Sequence, residues 1–179
     1  MTTTGKISVR TLRNQLKQRS QNDLIEELVL LFSRFDDVRN YYQFQLSGEP
    51  DEDVVAKYKA AIAEEFSTHG RPGEGRLSVA RRVVNQYKKV APSERSLIDL
   101  MLFYVEAGVK YTNAFGDIDE PFYNSMESMY ERTLETIVKH ELQAEFEHRC
   151  MKIVTDTSGI GWGFHDELNM LYSQTFNKH

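Results

Sequence analysis

Apolar side chains recur three and four residues apart along almost the whole of this chain, and short polar or Gly/Pro-containing breaks interrupt them. That spacing gathers apolar groups on one face of an α-helix, whereas a half-buried strand needs strict alternation. The fullest instance is Leu24, Ile25, Leu28, Val29, Leu31, Phe32 and Phe35, an arc wide enough to be expected largely buried. β-branched residues rarely alternate with polar ones, and no Asn-Gly or Asp-Gly hairpin signal occurs. The expected class is all-α: eight to nine short antiparallel helices packed as a compact bundle or a short solenoid-like array, without significant β-sheet.

Local signals divide the chain further. Ser8 is a candidate N-cap for a helix to about Gln18, with Val9, Leu12 and Leu16 on one stripe and Arg10, Arg13 and Lys17 one step round. Ser20, with Asp23 three residues on, has the form of a capping box. A third helix over about 36–46 stops at Gly48-Glu49-Pro50, and a fourth follows the acids Asp51-Glu52-Asp53 and runs to about Phe66. Residues 68–76, "THGRPGEGR", hold three glycines and a proline and read as a hinge. One domain is expected over 1–179, with lobes 1–67 and 77–179 on either side of that hinge. A fifth helix spans about 78–90. Ser93 caps a long apolar helix towards Phe115, and Asp119-Glu120-Pro121 starts a helix with proline in its first turn. Helical spacing then continues over about 122–140 and 142–155, and a last amphipathic helix carries Phe164, Leu168 and Leu171.

Charge separates the two halves. Residues 1–95 hold 16 Lys/Arg and 13 Asp/Glu, a net of +3; residues 96–179 hold 6 and 14, a net of −8, which together give the −5 of the whole chain. The pI near 5.6 argues against a dedicated nucleic-acid binder. Basic side chains at the first helix (Arg10, Arg13, Lys17), and at Arg71, Arg76, Arg81, Arg82, Lys88 and Lys89, leave weak phosphate contact as an alternative function. The single Cys150 excludes an intramolecular disulfide and fits a reducing compartment. The N-terminal "MTTTGKISV" lacks the apolar run of a signal peptide, and the longest apolar stretch, 97–105, is interrupted by Asp99 and too short to span a bilayer. A cytoplasmic protein without membrane contact is expected.

The stretch "DTSGIGWGFHDEL", residues 156–168, concentrates loop chemistry near the end of the chain. Gly159, Gly161 and Gly163 are placed to adopt positive φ, and Ile160, Trp162 and Phe164 alternate with them, as if three bulky groups fold back on the core. A phosphate loop is excluded: the run follows a helix, lacks the G-x-G-x-x-G spacing, and carries Asp166 and Glu167 where an anion would sit. Residues 117–134, "DIDEPFYNSMESMYERTL", followed by "SGIGWGFHDEL" at 158–168, resemble a bacterial family known only as a domain of unknown function, of the DUF6155 type. The N-terminal "ISVRTLRNQLKQRSQNDLIEELVLLF" and the "GRL…ARRVV" element fit the same pattern, so the resemblance covers nearly the whole chain. It implies a self-contained helical protein with no catalytic residues to carry over.

Few residues could carry chemistry. Asp117, Asp119, Glu120, Trp162, His165 and Asp166 form the candidate ligand or partner site, where the start of one helix would meet the glycine–aromatic loop. Glu145 and His148, three apart on a helix, resemble half of a carboxylate-bridged metal site, but no second Glu-x-x-His exists. They leave a metal-dependent hydrolase-like site near the loop as an alternative. Cys150 and His148 are two apart and face different directions on a helix, and no serine elbow, zinc helix or Cys-x-x-Cys pair occurs. The expected role is a protein-interaction or regulatory module with no established activity, without a cofactor, binding another protein or a second copy of itself.

Overall fold

Caps and breaks set the helix ends. In the computed structural model, which describes residues 7–47, 52–68 and 72–177, the helices are α1 (Val9–Leu16), α2 (Gln21–Arg34), α3 (Asp36–Ser47), α4 (Glu52–Glu65), α5 (Leu77–Val90), α6 (Glu94–Phe115), α7 (Glu120–Lys139), α8 (Gln143–Asp156) and α9 (Phe164–Phe176). Among the described residues there is no strand. Ser20 and Asp23 close the capping box at α2 in both directions, and Ser93 caps α6 by accepting from the Ser96 amide. Asp119 caps α7 in the same way through the Phe122 amide, with Pro121 in the first turn. Each such cap satisfies backbone donors that a helix start leaves bare. The expected stop at 48–50, Asp51, and part of the 68–76 segment (69–71) lie outside the described residues.

The core belongs to α4 through α9. The long α6 is its axis, flanked by α4, α5, α7 and α8, with α9 laid on α7 and α8. Tyr104, Tyr130, Phe122, Phe164, Ile98 and Leu102 are fully buried within it. Its rings meet edge-on, with Phe66 5.5 Å from Tyr104 and 6.1 Å from Phe122, a geometry that suits the aromatic quadrupole. Gly108 lets α6 approach α7: a Cβ there would lie 2.2 Å from the Met126 sulfur, which is itself fully buried. Buried hydroxyls find partners across the same interface, as Tyr104 does with Ser125 at 2.8 Å.

Packing also crosses the segment read as a hinge, since α4 lies on α5 and α6. Its described part is tied to the end of α4. Buried Glu65 accepts from the Arg76 amide and from two nitrogens of its guanidinium, at 2.8–3.2 Å, and the Gly75 amide donates to the Glu65 carbonyl at 2.9 Å. The Arg76 hydrogen bonds hold the Glu65 carboxyl below the usual carboxylate range, against the opposing effect of burial.

The N-terminal helices depart from expectation. The apolar arc of α2, expected to be largely buried, contains no buried residue, and neither does α1. Burial requires a facing surface as well as an apolar arc, and α2 packs mainly on α3, which reaches the core through α5. Ile25, Leu28, Val29, Phe32 and Phe35 are therefore exposed.

Candidate functional site

Two places bring chemistry-bearing side chains together. The first is the junction of the α6–α7 turn with the loop between α8 and α9. Tyr123, in the first turns of α7, is its centre. Its buried ring stacks on Trp162 at 6.4 Å and 27°, and lies 5.0 Å from Phe164. Its hydroxyl is within 2.9 Å of the Thr112 hydroxyl and donates to Asp117 at 3.4 Å. Asp117 and Trp162, both predicted site residues, thus meet on one tyrosine.

The other predicted residues have local partners. Asp119 is spent on its cap, accepting from Phe122 at 2.9 Å, and exposed Glu120 occupies the first turn of α7. His165 Nδ1 lies 3.1 Å from the Val154 carbonyl and 3.0 Å from the Thr157 hydroxyl. A carbonyl only accepts, so this contact needs the proton on Nδ1, and His165 closes the C-terminal end of α8 from the first turn of α9. Asp166 is exposed beside Glu167 in that turn. Among the described residues no hydrogen bond or ion pair joins Asp119, Glu120 or Asp166 to Trp162 or His165.

The loop itself corrects two expectations. Positive φ falls at Gly159 (92°) and Gly163 (73°) but not at Gly161; the third such residue is Trp162 (63°). Of the three bulky groups expected to fold inward, Phe164 is fully buried and Ile160 packs against the core, while Trp162 is 64% exposed. The left-handed backbone at Gly163 turns the chain into α9, so that Phe164 enters the core and the residues before it face water. A non-glycine residue in that region of φ is uncommon and strained, and Trp162 keeps it by lying flat on Tyr123.

The second place is a cleft of about 640 Å³ between α4, α6 and α8, lined by Lys59, Arg95, Asp99, Glu145, Phe146 and Arg149. Half-buried Arg149 donates to both oxygens of Glu106 at 2.6 and 2.9 Å, to the Asp99 carboxylate, and to the Asp99 carbonyl at 3.2 Å. Lys59 reaches the other Asp99 oxygen at 2.7 Å, and Arg95 pairs with Glu145. Burial alone would raise the Asp99 pKa, but the hydrogen bonds from Lys59 and Arg149 outweigh it and hold the carboxyl below its ordinary value of 3.8. Every cation lining the cleft faces a carboxylate, so it offers no unpaired charge to a ligand and acts as a polar tie between three helices. Sequence reasoning passed over Arg149 because its partners lie 43 and 50 residues away.

Neither place is arranged for the chemistries weighed above. Glu145 is engaged by Arg95, and His148 is exposed. Among the described residues no three His, Cys, Asp or Glu side chains are grouped as a metal ion would require. Cys150 is fully buried, and burial pushes its thiol up to about 12, so it is protonated and unreactive at neutral pH. No described helix is long and apolar enough to cross a membrane.

The fold is that of a helical protein whose glycine–aromatic loop docks a terminal helix, and among the described residues no metal-binding group is assembled. A family described as a family of unknown function (DUF6155) matches residues 7–177, and the chain belongs to it. No curated protein and no solved structure matches the chain.

Proposed function

We propose that this protein is an interaction module and that the open face of α1–α3 is its principal contact surface. One observation carries the reading. Among the described residues, eleven of the sixteen exposed large apolar side chains lie between Ile7 and Leu46, in the α1–α3 segment, which supplies none of the core cluster. Apolar side chains scattered singly need no explanation, but exposed apolar side chains gathered along one groove mark a contact surface. Its centre is a groove lined only by Ile25, Leu28, Val29 and Phe32 of α2 and Tyr42 and Leu46 of α3.

Thiol labelling tests it. Cys150 does not compete, so Val29→Cys supplies the only reactive thiol. In dilute solution it is expected to react with a maleimide about as fast as an unstructured thiol. Protection at dilution as strong as that of Cys150 would show the face docked on the chain's own core, and the reading would fall.

A second, smaller contact at the glycine–aromatic loop is favoured by the exposure of Trp162 beside Asp117. Trp162→Ala is expected to shift the melting temperature by no more than about 2 °C, as exposed positions usually do. A much larger fall would assign Trp162 to folding and remove this second contact.

A further inference from the structure

Helix α5 has two unlike sides. Ala80, Val84, Tyr87 and Val90 are buried in the core. The positions it exposes after its first turn are Arg81, Arg82, Asn85, Gln86, Lys88 and Lys89, which the helical period gathers on the opposite side. The helix holds no acid. Among the described residues none of these four cations makes an ion pair, whereas Arg76, at the start of the helix, is taken up by Glu65 and Glu74. Four unpaired charges therefore lie within about 12 Å of helix axis, with two amides between the arginines and the lysines.

We propose that this side of α5 binds the phosphate backbone of a nucleic-acid duplex without reading its sequence. The proposal goes beyond the interaction reading, which concerns the apolar groove of α2 and α3. The make-up of the surface selects among anionic partners. A protein partner would bury a core of apolar and aromatic contacts depleted in charge, and α5 exposes no apolar side chain. A helix held on an anionic lipid surface sinks its apolar side into the acyl boundary, and here that side is spent on the core. Nucleic-acid interfaces are polar and strongly positive, and Arg, Lys, Asn and Gln all donate to phosphate oxygens. Every exposed group from Arg81 to Lys89 is such a donor, and none is a carboxylate that would repel phosphate. The acidic pI of the whole chain weakens this binding without abolishing it, because salt screens charges more than about 8–10 Å apart.

Fluorescence anisotropy of a labelled DNA duplex, titrated with the full chain over a salt series, tests this. Four phosphate contacts imply that affinity falls about 150-fold between roughly 50 and 200 mM salt. The fall should be the same on two duplexes of unrelated sequence. Arg81→Ala with Lys88→Ala removes two contacts and should reduce it to about tenfold. Both positions are exposed, so that variant should keep the wild-type circular dichroism and melting transition. Arg81→Lys with Lys88→Arg keeps the charge and should restore the wild-type salt dependence. Arg10→Ala with Arg13→Ala, on the acid-free helix α1, should leave it unchanged. Absence of binding at about 50 mM salt, where phosphate contacts are strongest, would overturn the proposal. So would a salt dependence that follows the α1 cations and not those of α5. A glutamate-rich peptide, or a vesicle containing phosphatidylserine, that takes the α5 cations more tightly than the duplex would overturn it in favour of an acidic protein or a membrane.

Discussion

Phe164→Ala is expected to destabilise the protein by about 3–5 kcal/mol and to lower its melting temperature by roughly 10 °C or more. Phe164 is the first residue of α9 and is fully buried. Its ring lies 5.0 Å from Tyr123, which joins the α7 start to the glycine loop. Truncation leaves a cavity where α7, the loop and α9 meet, and rigid helices on two sides limit its collapse. Calorimetry of the two proteins at equal concentration makes the comparison. A loss below about 1 kcal/mol, the range of Ile→Val-sized trimming, would mean that the loop does not anchor α9 through this ring. Trp162 sits two residues earlier in the same aromatic-glycine alternation, so the contrast between the two variants separates the buried member of the loop from the exposed one.

Arg149→Ala should cost about 2–3 kcal/mol, less than the roughly 3–5 kcal/mol for breaking a fully buried ion pair, because its partners retain some solvent. Glu106 loses a bidentate donor and Asp99 keeps only Lys59. Arg149→Lys should recover little, because an ammonium cannot make the two parallel hydrogen bonds to Glu106 while also reaching Asp99. The effect carries a pH signature. The Asp99 pKa is depressed in the folded protein, so its pairing contributes fully above the unfolded value near 3.8 and is lost as pH falls through the lower folded value. Glu65, held low by Arg76, acts in the same direction. Wild type should therefore lose stability below about pH 4, and the gap between wild type and Arg149→Ala should narrow there. A gap that stays constant down to pH 2 would place the cost in packing of the arginine stem and not in its charge.

The helix limits were legible because they depend on neighbours three or four residues away. Ser20, Ser93 and Asp119 cap the helices that their sequence context predicts, and the apolar spacing after each cap gives the length of the run. Part of the candidate site was legible in the same way: the glycine loop marks where α8 ends and α9 begins, and Asp117 does come to Trp162 through Tyr123. Their meeting on a tyrosine hydroxyl, and the use of His165 to close α8, were not visible, since each is a contact between elements whose relative placement no local rule sets.

Sequence alone determined that this chain is a row of helices, where most of them start and stop, and which side of each is apolar, because backbone hydrogen bonding and side-chain periodicity are local. Tertiary structure decided which apolar sides are covered. The arc of α2 and that of α6 read alike as sequence, yet Leu100, Leu102 and Val105 are buried while Leu28, Val29 and Phe32 face water. It likewise decided that Phe164 turns inward and Trp162 outward, and that Arg149 ties α8 to α6. The physical reason is the same in each case: burial and charge pairing are properties of two surfaces, and one helix supplies only one of them.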